Sequence, residues 1–327
     1  MIIVTGGAGF IGSNLVAALD GRGERVVVCD WLESEDKWRN IAKRDLEAII
    51  TPEQLNDFLA NYGSDIEAIF HMGAISSTTE TNVDLIIETN FRLSRKLWLW
   101  SREMRTQFIY ASSAATYGSG TAGFKDDESI EGLGQLRPLN PYGWSKHLFD
   151  RWVARQKSRG TEMPAQCIGL KFFNVFGPNE YHKGGQRSVA EQIFPYTQRS
   201  EPFPLFKSHN PNFEDGGQLR DFIWVGDCVN VMLWLFEHPK INGLFNLGTG
   251  KARSFADLAM AVYQAAGQAP LIKYRDMPET LRDKYQYFTE ADMGKLRSVG
   301  YTAPFTGLEE GIKLYVQNYL AAPDKYL

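Results

Sequence analysis

The stretch Val4 to Gly12, VTGGAGFIG, constrains this chain more than any other. Ile2, Ile3 and Val4 read as a short buried strand, and an apolar-periodic helix begins at about Phe10. Gly6, Gly9 and Gly12 stand between them at the spacing G-x-x-G-x-x-G. A strand, a glycine turn and a helix N-terminus together aim unpaired backbone N–H groups and the positive end of the helix at one point. That point suits a pyrophosphate. The early glycines permit the tight turn and a close phosphate approach, and Gly12 lets the helix lie against the sheet. An ordinary glycine-rich turn could share this spacing. The strand–turn–helix context is what selects a dinucleotide site.

The chain then alternates strand and helix. The first helix runs from about Phe10 to Asp20, with Ile11, Leu15, Val16 and Leu19 on one face, and Gly21 and Gly23 stop it. Val26 to Cys29 form a second strand ending at Asp30, where an acid can reach ribose hydroxyls. Lys37, Arg39, Lys43 and Arg44 follow, either as a solvated mixed-charge surface or as a clamp for an adenosine 2′-phosphate, with Lys37 the leading contact. Thr51-Pro52 signals a capped helix start. Ala68 to His71 reads as a strand, and the small-residue run Met72, Gly73, Ala74, Ile75 and Ser76 leaves room for a ribose and the linking phosphate. His71 by itself reads as a satisfied interior histidine. A long helix is expected from Val83 to Met104, with Asn90 either on its polar face or as a strut for neighbouring loops.

Phe108 to Tyr110 form the next strand, leading into Ala111 to Gly118, ASSAATYG. Gly118 to Pro141 reads as a long connection, and Asn140-Pro141 starts a helix carrying Tyr142, Ser145 and Lys146. Ala165 to Phe172 is another apolar strand. This alternation argues for an α/β fold: a doubly wound parallel sheet of the Rossmann type, with a smaller, interleaved C-terminal substrate lobe. Residues 1–173 are expected mainly in the cofactor domain and 174–327 mainly in the substrate lobe, with segments such as 218–250 returning to the first. In the second part, Tyr181 to Val189 leads into a helix, Lys207 to Gly217 is a polar loop, and Arg220 to Ile223 is a strand. A helix follows from about Asp227 to Glu237, Gly243 to Leu247 is extended, Ser254 caps a helix, and Tyr274 to Tyr287 is irregular.

Composition narrows the partners. At 43% hydrophobic and 23% charged residues, the chain can build a large core as an ordinary soluble protein. With a net charge of -4 and no long Lys/Arg block, a nucleic-acid surface is not expected. No apolar run is long enough for a membrane span and no signal sequence is visible. Cys29, Cys167 and Cys228 lack metal-like spacing and read as reduced packing residues, so a cytoplasmic protein without a metal is expected.

Tyr142 and Lys146 are four apart and share one helix face. A phenol is a poor base at neutral pH, and a nearby ammonium stabilises its phenolate. The same ammonium can hold a nicotinamide ribose, while Ser113 at the preceding strand end hydrogen-bonds the reacting oxygen. Together they would take a proton from a carbinol as hydride leaves. Tyr-x-x-x-Lys is common on amphipathic helices; it gains meaning here from the glycine motif and the serine-bearing strand end.

TGGAGFIG, SSAATYG and YGWSK resemble the extended short-chain dehydrogenase/reductase family of nucleotide-sugar epimerases and dehydratases. The likeness runs nearly end to end through FFNVFGPNEYHKG, RDFIWVGD, FNLGTGKARSF and DKYQYFTEADM, and lies nearest the branch that inverts C6 of an ADP-linked heptose for lipopolysaccharide core. The resemblance implies NADP, with NAD as the alternative, an ADP-sugar substrate, and a homo-oligomer that could be a pentamer. It implies a transient C6 carbonyl that turns over, and therefore two proton-handling groups: Tyr142 and Lys183. On its own Lys183 reads as a surface lysine in a glycine loop. Phe10 and Ile11 match the pyrophosphate turn; Asp30, Trp31 and Lys37 the adenosine end; and Met72 to Ser76, Asn90, Lys146 and Val175 further cofactor contacts. Asn174, Gln192, the run Phe206, Lys207, Ser208 and His209, then Arg220 and Tyr285 match substrate positions, beside Ser113 and Gly185. Arg220 suits a diphosphate, which guanidinium grips as a fork.

The sequence departs from that pattern in places. Trp31 replaces a small polar residue, Gly185 a serine and Gln192 a histidine, and the loop before Arg220 looks longer. A 4,6-dehydratase would need acids where Ala114 and Ala115 stand, and a UDP-hexose 4-epimerase would not require Lys183. A non-catalytic nucleotide-binding module would not need Ser113, Tyr142 and Lys146 together.

Overall fold

A computed structural model describes the chain except residues 34, 35, 283 and 284. Six strands open it: β1 (Ile2–Thr5), β2 (Val26–Cys29), β3 (Ala48–Ile50), β4 (Ala68–His71), β5 (Gln107–Ser113) and β6 (Gln166–Phe172). Six more follow: β7 (Asn174–Phe176), β8 (Phe203–Phe206), β9 (Leu219–Trp224), β10 (Gly243–Leu247), β11 (Ala252–Ser254) and β12 (Ile272–Arg275). The main sheet is parallel throughout, in the order β10-β6-β5-β4-β1-β2-β3. The order reverses between β1 and β4, and a ligand crevice belongs at the carboxyl ends of the strands there.

Side chains alternate across the sheet, and both faces are apolar, so both must be covered. Ile2, Val4, Val26 and Val28 face one core with Leu15, Leu19, Val231 and Leu235 from the helices Phe10–Asp20 and Val225–Glu237. Ile3, Val27, Ile69 and Phe108 face the other, with Leu59, Trp98, Phe149 and Trp152 from three further helices. A third core, built from Phe176, Ile193, Phe222, Leu258, Val262 and Ile312, belongs to the later part of the chain. There β9 lies between β11 and β7, and β12 pairs with β8. Among the described residues no helix is long and apolar enough to cross a membrane.

Several elements differ from the sequence expectation. The long helix from Val83 is interrupted: Val83–Ile86 and Leu93–Met104 flank a π-helical segment, Ile87–Arg92, which contains Asn90. Thr51 does not cap a helix. Its N–H donates to Gln54 Oε1 at 2.9 Å, a turn precedes the helix Leu55–Tyr62, and Gln54 is the cap position. The connection after Gly118 is not structureless, since Ser129 caps a helix at Ile130–Gln135. The helix expected from Asp227 starts two residues earlier, at Val225. The irregular stretch from Tyr274 holds the end of β12 and a short helix, Glu279–Arg282, with residues 283 and 284 outside the described residues. β3 had no sequence signal; it is a three-residue edge strand whose Ile49 is exposed.

Candidate active site

The glycine turn forms as its spacing requires. The Gly9 N–H turns back to the Gly6 carbonyl at 3.0 Å, and the Ser13 N–H takes the Gly9 carbonyl at 2.9 Å. The N–H groups of Phe10, Ile11 and Gly12 between them belong to a first helical turn, which has no intrahelical partners. Gly6 has φ +64°, and a Cβ there would stand 2.5 Å from the Gly73 Cα; one on Gly12 would stand 2.1 Å from the Gly6 carbonyl oxygen. The backbones of β1 and β4 thus meet the helix N-terminus too closely for side chains, leaving a bare cradle of the kind a dinucleotide pyrophosphate fits.

This cradle opens into a cavity of about 860 Å³. Gly6, Gly9, Phe10, Ile11, Gly12, Asp30, Trp31, Lys37, Met72, Gly73, Ala74, Ile75, Ser76 and Val175 line it, together with Ser113, Tyr142, Lys146, Lys183 and Gly185. At its adenosine end, Asp30 accepts from the Ala8 N–H at 3.0 Å and from Lys37 Nζ at 3.0 Å. Lys37 also donates to the Trp31 carbonyl at 2.7 Å and is buried. Its basic neighbours are engaged elsewhere: Arg39 with Asp36 at 3.0 Å, Lys43 with Asp324 at 2.9 Å and Arg44 with Asp20 at 3.4 Å. Of the four, Lys37 alone lines the cavity.

Asn90 lies behind the wall. Its Oδ1 accepts from the Ile75 N–H at 2.8 Å, and its Nδ2 donates to the Ile75 carbonyl and the Ser145 hydroxyl, both at 3.0 Å. It is a strut that ties the loop after β4 to the helix of Tyr142. The π segment supplies the geometry, since the wider turn offsets Asn90 from an α-helical register. His71 hydrogen-bonds Thr5 Oγ1 at 2.7 Å and Ser94 Oγ at 2.8 Å. Burial, with the Lys146 charge, pushes its pKa down to about 3, so it is a neutral interior residue.

Tyr142 and Lys146 sit on Pro141–Ser158, where Asn140 Oδ1 accepts from the Gly143 N–H at 2.8 Å and Pro141 occupies the first turn. Ser113 closes β5 and caps the turn Ala114–Tyr117. Burial draws the Lys146 ammonium down to about 8, with Asp150 acting the other way. Burial raises the Tyr142 phenol, and the Ser113 hydroxyl opposes it. The lowering by Lys146 expected from the sequence is not among the influences on this phenol in the protein alone, of which burial is the largest. A protonated phenol is the form that can donate to a carbonyl oxygen.

Lys183 is not a surface lysine. It faces the same cavity, with Nζ 5.3 Å above the Phe10 ring. Burial lowers its pKa, and Glu180 raises it. Its loop is stitched to the cofactor turn over a long sequence distance. Asn14 Nδ2 donates to the Pro178 carbonyl at 3.0 Å, Asn179 Nδ2 to the Ser13 hydroxyl at 3.0 Å, and Asn40 Nδ2 to the Asn179 carbonyl at 3.1 Å.

The remaining candidates are not among the residues lining this cavity. Arg220 is buried, its guanidinium 5.2 Å from the Tyr285 ring centroid and 5.6 Å from that of Phe255. The His209 N–H donates to the Tyr287 hydroxyl at 3.1 Å, Ser208 N–H to Asp215 at 2.8 Å, and Lys207 pairs with Asp276 at 3.4 Å. The Phe206 ring lies under Arg275 at 4.9 Å. Gln192 donates to the Arg187 carbonyl at 2.8 Å, and Asn174 is exposed at the start of β7. Sequence reasoning missed Thr5, Ser112, Phe172, Phe173 and His182 as lining residues. Thr5, Ser112, Phe172 and Phe173 stand at or beside strand ends, which was the available signal, and His182 adjoins Lys183 in the segment Tyr181–Gln186.

The chain matches the family model described as the NAD dependent epimerase/dehydratase family over residues 2–248. It is 48% identical to the ADP-L-glycero-D-manno-heptose-6-epimerase of Nitratidesulfovibrio vulgaris, with 100% of each chain covered. The structure of the Helicobacter pylori ADP-L-glycero-D-manno-heptose-6-epimerase matches with a TM-score of 0.79 at 27% identity, covering 97% of this chain and 95% of that one. The structure of Thermus thermophilus UDP-glucose 4-epimerase complexed with NAD matches with a TM-score of 0.75 at 27% identity, covering 96% and 97%.

Proposed function

This chain belongs to the NAD dependent epimerase/dehydratase family, and on that premise we propose that it inverts C6 of ADP-D-glycero-β-D-manno-heptose to give the L-glycero epimer. The observation that carries this reading is that Tyr142 and Lys183, from distant parts of the chain, border one cavity with the glycine cradle. The full-length relative of that name supports the substrate. We assign the product to lipopolysaccharide core synthesis and the enzyme to the cytoplasm, in keeping with three buried, unbridged cysteines.

A nicotinamide dinucleotide fits the cradle: Gly6, Gly9 and the N–H groups of Phe10, Ile11 and Gly12 would hold its pyrophosphate, Asp30 its adenosine ribose, and Lys146 its nicotinamide ribose. When bound, it supplies a hydride acceptor and donor, so that C6 passes through a carbonyl. The protein's own groups handle the proton. Tyr142, hydrogen-bonded through Ser113, serves the C6 oxygen in one orientation, and the Lys183 ammonium serves it in the other. Lys183 must gain and lose a proton near neutral pH, which suits a lysine lowered by burial. Arg220 would grip the diphosphate. Proton NMR of ADP-D-glycero-β-D-manno-heptose with the purified protein is expected to show the C6 signal of the L-glycero epimer growing in, with no change in UDP-glucose run alongside. Conversion of UDP-glucose alone would replace this reading with a 4-epimerase.

We assign NADP as the preferred cofactor. Asp30 alone would repel a 2′-phosphate, but its pairing with Lys37 offsets that charge. Lys37→Glu sets a second carboxylate beside Asp30. Its dissociation constant for NADP should rise at least about tenfold more than that for NAD, the scale of one charge-assisted hydrogen bond. Calorimetry with both cofactors measures this, and equal losses would show that Lys37 does not touch the phosphate.

A further inference from the structure

Behind the site the chain buries an ion pair that the proton chemistry above does not use. Lys171, next to last in the apolar strand β6, donates from Nζ to Asp150 Oδ2 at 3.0 Å, with side-chain exposures of 1% and 0%. Asp150 lies one helical turn beyond Lys146. Its Oδ2 also accepts from the Ser112 hydroxyl at 2.7 Å, and its Oδ1 from the Tyr110 hydroxyl at 3.1 Å. Lys171 Nζ also donates to Thr116 Oγ1 at 2.5 Å and stands 4.8 Å above the Tyr117 ring. The Thr116 hydroxyl in turn donates to the Ser113 carbonyl at 2.8 Å. Ser113 is thus held from both sides, through Ser112 before it and Thr116 after it, by one ion pair.

Burying two charges is expensive, and an apolar pair of similar volume often stabilises a core as well or better. Stability alone therefore gives little reason for this pair. Its geometry gives one: Asp150, on the helix of Tyr142 and Lys146, holds Tyr110 and Ser112 of β5, and Lys171 of β6 links Asp150 to Thr116 in the turn after Ser113. We propose that Asp150–Lys171 is a positioning pair, which fixes Ser113 against the Tyr142 helix and sets one negative charge a single turn from the Lys146 ammonium. This rests on Ser113, Tyr142 and Lys146 being the proton-handling group.

The ionisable groups around Lys146 are Tyr142 a turn before it, Asp150 a turn after it, and His71 at the end of β4, with Lys171, Tyr110, Tyr117 and the buried His147 around Asp150. On the π segment packed against this helix, Glu88 pairs with Arg92 at 2.7 Å on the exposed side. Burial favours a neutral Lys146, and the Asp150 carboxylate favours the ammonium. Removing that carboxylate makes the ammonium lose its proton at lower pH.

The test uses Lys171→Met, Asp150→Asn and the double variant, each followed by thermal unfolding and by kcat against pH. Either single variant should unfold at a lower temperature, because one buried charge loses its partner or its compensation. The double variant should regain thermal stability, since no charge is left unpaired. Its kcat should remain about 10- to 100-fold below wild type, the scale of a misplaced catalytic group. Its alkaline limb should also move to lower pH. Recovery of wild-type kcat and pH profile together with stability would overturn the proposal and leave the pair as core filler. Thr116→Val keeps the Lys171–Asp150 contact and removes the hydroxyl that joins Lys171 Nζ to the Ser113 carbonyl. It should lower kcat about tenfold with KM and the alkaline limb unchanged, and a wild-type kcat would overturn the clamp even if the double variant does not fold. Tyr142→Phe keeps the two questions apart: wild-type turnover in that variant would remove the reading beneath this inference, whereas its loss beside a wild-type double variant would remove this inference alone.

Discussion

Tyr142→Phe is expected to lower turnover by about 10²–10⁴ while nucleotide remains bound, the usual cost of losing a general acid–base group. The substitution keeps the ring, so the packing of the helix start survives, with Asn140 as cap and Pro141 in the first turn. Only the hydroxyl is lost. Lys146 and the glycine cradle, which would hold the nucleotide, are untouched. Steady-state rates with ADP-heptose, beside an absorbance measurement of nucleotide content, check both halves. Turnover near wild type would remove Tyr142 from the mechanism.

Lys183→Met is expected to abolish complete epimerisation, with turnover falling by about 10²–10⁴ at saturating substrate. Methionine preserves most of the aliphatic stem over Phe10 and removes the ammonium that sits 5.3 Å from that ring. The sequence distance between Lys183 and the cofactor turn hides this contact, so nucleotide content should be measured in the same samples. A cation–π contact at a partly buried site contributes about 1–2 kcal/mol, and the glycine cradle is untouched, so most of the nucleotide should remain. The variant should still act on C6 in the orientation that Tyr142 serves. A lysine that only grips diphosphate would behave differently, giving weaker substrate binding and full turnover at saturation. Single-turnover kinetics at rising ADP-heptose separate the two, and recovery of the wild-type rate would leave Lys183 as a binding residue.

What was legible in the sequence was whatever local physics sets. The glycine turn forms because only glycine fits where β1, β4 and the first helix meet. Asn140-Pro141 announces the helix of Tyr142 and Lys146 by its capping chemistry, and Ser254 with Asp257 makes a capping box at Phe255–Ala265. The order and direction of the main strands follow from the βα alternation. What was not legible depends on distant partners. No local pattern marks the π segment at Ile87–Arg92, because one more residue in a turn leaves the apolar period almost unchanged. Lys183 reads as a loop lysine until Asn14, Asn40 and Asn179 tie its loop to the first helix. Asp150 and Lys171 read as polar positions on a helix and a strand, and only the packing of those elements makes them a buried pair. Arg39, Lys43 and Arg44 look like company for Lys37, yet each finds an acid elsewhere. Burial of the Tyr142 phenol was hidden for the same reason, since burial is a property of the folded chain.

Inversion at C6 by removal and return of the same hydrogen is the centre of this account, and incubation of unlabelled ADP-D-glycero-β-D-manno-heptose with the enzyme in deuterium oxide tests it most directly. A hydrogen carried as hydride does not exchange with solvent, whereas the protons handled by Tyr142 and Lys183 do. The account predicts that NMR shows the L-glycero epimer accumulating with protium retained at C6. Deuterium at C6 of the epimer, or no epimer at all, would contradict it.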